Sequence, residues 1–128
     1  MRRLSIIGVP SSAGSYAAGQ DQAPAALRHA GLIRVLTDAG LPVRDHGDLP
    51  EQIWRPDRQR PFAQNAGQVT ACLQELADRL GPLLAEGDTV LVLGGNCTIG
   101  LPGTVDALTD AFGPRPLLQP APPASDSG

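Results

Sequence analysis

The sequence predicts an α/β protein in which helices cover both faces of a parallel sheet, three layers in the order αβα. Three observations carry that prediction. Short strand-like runs stand at Leu4–Val9, Leu41–Asp45 and Thr89–Leu93, and the last is apolar and rich in β-branched residues, as a strand buried on both faces requires. Between the second and third runs, Val69, Cys72, Leu73, Leu76, Leu80, Leu83 and Leu84 recur at the spacing of one helix face. The alternation of strand, helix, strand, helix, strand then builds right-handed parallel units.

Each element has a local reason. Leu4–Val9 is short and apolar, and Pro10 ends it. Pro10–Gln22 is rich in Ser, Gly and Ala and suits a loop. Asp21 is placed to cap a helix, with Pro24 in its first turn, where a missing N–H costs nothing. That helix runs to Ala30, Gly31 interrupts it, and a second runs from Leu32 to about Ala39, with Gly40 as its stop. After the second strand come Asp45, His46 and Asp48, which suit either a metal site or a polar turn with Asp48 bonded to backbone amides. Leu49–Gln64 is a polar loop carrying Arg55, Arg58 and Arg60, either an anion site or a solvated face, and Trp54 is expected to cover an edge of the fold. Ala66–Ala85 is the clearest helix, with Cys72 in its buried stripe and a kink or break expected at Gly81-Pro82. Gly103–Phe112 suits a further helix. Five prolines between Pro114 and Pro123 then forbid regular structure, so the chain divides into a folded part, residues 1–112, and a disordered tail, residues 113–128.

Composition narrows function. A chain of 128 residues holds one domain, and a net charge of −3 gives no electrostatic case for nucleic acid. It shows neither a long apolar run nor an apolar segment behind Met1-Arg-Arg-Leu4, so the expected place is the cytoplasm, with no membrane contact. Cys72 and Cys97 lack the spacing of a metal knuckle and are not expected to form a disulfide there.

Thr89–Leu93 leads into Gly94 and Gly95, which turn the chain sharply and present Asn96, Cys97 and Thr98 at the carboxyl end of the sheet, where ligands of such folds bind. Two readings of this turn rest on residues alone. One is a phosphate- or nucleotide-binding module using Gly94–Gly100 at a helix start. Gly95 and Gly100 have the spacing of a phosphate loop, but Leu101-Pro102 replaces its lysine and hydroxyl. The other is a reactive thiol at Cys97.

Leu93-Gly-Gly-Asn-Cys-Thr98 also resembles the Gly-Gly-Asp-His-Ser signature of the ureohydrolases: arginase, agmatinase and formimidoylglutamase. Ile6-Ile-Gly-Val-Pro10, Gly14, Gly19, Ala23-Pro24, Leu27-Arg28 and Gly31-Leu32 are similar to that family's opening, and Val43–Leu49 resembles its Val-x-Asp-x-Gly-Asp segment. The resemblance covers residues 4 to 108. It implies an arginase-like αβα fold, two manganese ions, and hydrolysis of a C–N bond in a linear amidine, a small guanidino compound such as arginine or agmatine.

By the same resemblance Cys97 stands where the family has a His metal ligand, and Asn96 where it has Asp. A thiolate is a soft ligand, matched to zinc rather than manganese. The family's later Asp-Ala-His-x-Asp and Asp-x-Asp motifs are missing, and Val105–Asp110, with Asp106 and Asp110, imitates the first without its His. The resemblance therefore implies a chain incomplete at its C-terminal side and without turnover of its own. It also implies a third strand that is central in the family sheet and has an open edge here. That leaves marginal stability, or a homo-oligomer joined through that edge.

Overall fold

The computed structural model describes residues 2–100. Among the described residues the first strand in sequence, Leu4–Val9 (β1), lies in the middle of a three-stranded sheet. Its neighbours are Val43–Asp48 (β2) on one side and Thr89–Gly94 (β3) on the other, both parallel to it. The crossovers are Ala23–His29 (α1) with Leu32–Asp38 (α2), and Ala66–Ala85 (α3). Alternation along β1 separates the two faces. Ile7 and Val9 join Leu49, Cys72, Leu76 and Leu80 in the core under α3. Gly8 points the other way, and a Cβ there would meet Pro24 of α1 and the Asp48 carboxylate. Ile7 and Leu76 are both 0 % exposed, each burial contributing about 1.5–3 kcal/mol.

Several elements fall as the sequence predicts. α3 has the expected limits, Cys72 lies in its buried face, Pro24 sits in the first turn of α1, and Gly40 follows α2 with φ 87°. Others differ. β2 runs on to Asp48 because Arg28, at the end of α1, reaches across its polar end. Nε and Nη2 bond the Asp45 carboxylate at 3.0 and 2.9 Å, Nη1 pairs with Asp48, and Nη2 also bonds Gly47 O. So Asp48 serves a guanidinium, and it is Asp45 that accepts a backbone N–H, from Gly47. Asp21 does not cap α1. It is buried in the turn Gln20–Gln22, accepting from Gly19 N–H and Gln22 Nε2. α3 passes through Pro82 unbroken: one helical hydrogen bond is lost near its end, while Leu80, Leu83 and Leu84 hold that turn on the core. The expected helix Gly103–Phe112, the carboxylates Asp106 and Asp110, the boundary at residues 112–113 and the tail 113–128 lie outside the described residues.

At the amino end of the strands Asp88 is buried. It accepts from Ser5 Oγ at 2.6 Å and from Arg3 Nε at 3.0 and 3.2 Å, while Arg3 Nη2 reaches Glu86. Ser5 has spent its proton on Asp88, so the 3.0 Å contact with His46 Nε2 is donated by the imidazole. Three carboxyls are held below their ordinary value of 3.8. The Ser5 hydroxyl and then Arg3 do this for Asp88, and the Gly19 N–H does it for Asp21. At Asp45 burial acts upward, but Arg28 and the Gly47 N–H outweigh it. A lowered folded value stabilises above the unfolded one and is lost as pH falls through it. Thermal melting is therefore expected to be flat above about pH 5 and to fall steeply below about pH 4. Asp88→Asn should shallow that fall, and an equally steep acid limb in the variant would remove Asp88 from the account.

Candidate functional site

The carboxyl ends of β1 and β3 converge on the turn at residues 94–98. Gly95 has φ 30°, and a Cβ on it would stand 2.6 Å from both Val9 O and Ser11 O, so only glycine lets the turn lie against the end of β1. Asn96 N–H donates to Ser11 O at 2.9 Å and locks the two segments together. That amide is thereby committed, which removes one donor that a bound phosphate would use. Asn96 is 5 % exposed, its Oδ1 accepts from Thr98 Oγ1, and its Nδ2 lies against Gly14, where a Cβ would approach to 2.8 Å. Cys97 is exposed at the start of a short 3₁₀ turn, Cys97–Gly100.

Two loops frame the turn and are stitched to each other. Ser12 N–H donates to Gln52 O, Gln52 N–H to Pro10 O, and Trp54 N–H to Ser12 Oγ. Asn65, just before α3, adopts the left-handed conformation at φ 54°, from which Nδ2 reaches Ala13 O at 2.9 Å and Arg55 O at 3.0 Å. Trp54 is half-buried and donates from Nε1 to Gln64, so it fastens its own loop. Arg55, Arg58 and Arg60 are exposed. Asn65, Ser11, Ser12 and Gln52 do not stand out in the sequence. The available signal was an asparagine directly before the helical pattern, a residue that tolerates the left-handed region.

The donors at the turn do not suit a pair of manganese ions. Asn96 offers a neutral amide already engaged by Thr98, and Cys97 offers a soft thiol. Asp45, His46 and Asp48 sit together on β2, but both carboxylates face Arg28 and the imidazole faces Ser5. Among the described residues no group of three or more His, Cys, Asp or Glu could hold a metal ion, and no helix is long and apolar enough to cross a membrane. Cys72 is inert by position: burial, then the nearby Glu75, pushes its thiol upward.

Comparison with known proteins agrees with this framework. The arginase family model matches residues 2–119. Arginase of Bacillus subtilis (strain 168) is 34% identical over 103 residues, covering 78% of this chain and 33% of that protein. Arginase-1 of Mus musculus is 35% identical over 100 residues, covering 78% and 31%. The crystal structure of arginase from Bacillus cereus superposes with a TM-score of 0.72 at 32% identity, over 85% of this chain and 35% of that one. The chain thus spans about a third of the length of the relatives it matches. A glycine turn after a parallel strand, an opening strand in the middle of the sheet, and a family match along most of the sequence lead to one conclusion: this chain belongs to the arginase family.

Proposed function

We propose that this chain is the opening part of a ureohydrolase fold whose family reaction is hydrolysis of a C–N bond in a guanidino compound, and that the 128-residue chain does not catalyse that reaction alone. The observation that supports this is the turn after β3. The position of the family's His ligand, as the sequence resemblance aligns it, carries the exposed thiol of Cys97. The neighbouring Asp position carries Asn96, its amide bonded within the turn. A two-manganese site needs several hard carboxylate oxygens to share and activate one water, and the described residues bring no such set together.

The purified chain is expected to release no urea from arginine or agmatine above background with added manganese. Urea release that a chelator abolishes would overturn the proposal. The double variant Asn96→Asp/Cys97→His should stay inactive as well, because one restored imidazole and one carboxylate do not make a dinuclear site. Manganese-dependent turnover by that variant would show that the remaining ligands are supplied elsewhere.

A further inference from the structure

β2 holds one residue more than β1 between the pairs Ile6↔Asp45 and Gly8↔Asp48, and Gly47 takes φ 76° at that point. Such a bulge re-aims the side chains around it. Asp45 and Asp48 both turn to Arg28 of α1, while His46 turns to the face under α3. Its Nε2 donates to Ser5 Oγ at 3.0 Å, and Ser5 donates in turn to the buried Asp88. This chain of bonds holds the neutral imidazole with its proton on Nε2, so Nδ1 keeps its lone pair.

His46 lines a cleft of about 250 Å³ between β2 and the second half of α3. Ile7, Pro82 and Leu83 give it apolar walls, and the consecutive residues Asp78 and Arg79, both exposed, bring one charge of each sign. Neither charge is fully engaged. Asp78 accepts one bond from Gln74, and Arg79 stands 3.8 Å from Glu75 in an exposed pair, an arrangement of little strength. The walls all come from residues 7 to 83, and none belongs to the turn at residues 94–98. The cleft also lies beside β2. The resemblance makes β3 an interior strand, so further strands of such a sheet join on the opposite side.

We propose that this cleft binds a small α-amino acid with an aliphatic side chain. Each part of such a molecule has its complement. The carboxylate pairs with the Arg79 guanidinium, and the ammonium donates to Asp78 and to Nδ1 of His46. The side chain lies on Ile7, Pro82 and Leu83. A carboxylate alone would face Asp78 uncompensated, and an amine alone would face Arg79, so neither half satisfies both charges. A guanidino side chain would bring a second cation to the apolar walls, which separates this ligand from the family's substrate. The volume is smaller than that of drug-sized sites, roughly 300–1,000 Å³, as a ligand of this size requires. The inference does not depend on whether the chain has chemistry.

Titration of the isotope-labelled full chain with L-valine, followed by NMR at about pH 7.5, above the ordinary imidazole range, tests it. Saturable shifts are expected at the His46 ring and at the amides of Asp78, Arg79 and Leu83. Isovalerate, which lacks the ammonium, and isobutylamine, which lacks the carboxylate, should each bind at least about tenfold more weakly, the scale of one lost hydrogen bond to a charged group. Asp78→Asn and Arg79→Gln should weaken valine by a similar factor, and both residues are exposed, so the variants keep the fold. The absence of a saturable shift at these residues overturns the proposal. So does valine binding that neither variant weakens, and so does either half binding as tightly as valine. Tighter binding of arginine than of valine at the same residues overturns the aliphatic assignment. Urea release is a separate readout, so failure here leaves the catalytic proposal standing.

Discussion

Gly95→Ala is expected to destabilise the chain by on the order of 3 kcal/mol or more, the scale of a strained backbone position combined with a backbone clash. The added methyl would lie 2.6 Å from Val9 O and from Ser11 O. Neither carbonyl can retreat cheaply. Ser11 O holds Asn96 N–H, and Val9 is the last residue of a strand paired on both sides. The residue also sits at φ 30°, a conformation an L side chain resists. Gly94→Ala is the control. Its methyl would collide with the tip of the Ile99 side chain, which can move, so a smaller loss is expected. Urea denaturation of both variants measures the difference. A Gly95→Ala variant within about 1 kcal/mol of the parent would show that the turn has room the structure does not reveal.

Leu76→Ala should cost about 2–5 kcal/mol. Leu76 is 0 % exposed at the middle of α3, in the cluster that holds Ile7, Val9, Leu49, Cys72 and Leu80. Small domains have only about 5–15 kcal/mol in total, so this one truncation takes a large part of the margin. Leu83→Ala, at a half-buried neighbour on the same helix face, should lose distinctly less. Equal losses at the two positions would mean that the described packing of α3 on the sheet is wrong.

What could be foreseen from sequence follows the range of the interaction responsible. α3 and the glycine turn are set by contacts within a few residues or by one continuous face, so periodicity and glycine placement revealed them. The end of β2 was hidden because Arg28, 17 residues before Asp45, neutralises a segment whose own composition argues against a strand. Asp21 looked like a cap because its position is right for one, but a buried turn took its carboxylate first. Pro82 looked like a break because the rule counts the missing hydrogen bond and not the leucines on either side of it. At the site, Cys97 was found through the glycines before it. The Asn65 latch joins three segments distant in sequence, and no local pattern announces it.

The place of β1 has a consequence in time. Among the described strands it is synthesised first and is the one paired on both edges, yet its second partner lies at the far end of the described chain. The bond between Arg3 and Asp88 spans 85 residues. Folding with so much of its pairing deferred is slow compared with helical proteins of similar size, because loop closure must precede the reward. During that interval Ile6, Ile7 and Val9, all fully buried at the end, stand open beside an unpaired backbone. The stage most exposed to aggregation is therefore the nascent chain before Thr89–Gly94 has been made, and slowing synthesis just ahead of that stretch should lower the soluble yield more than slowing it after.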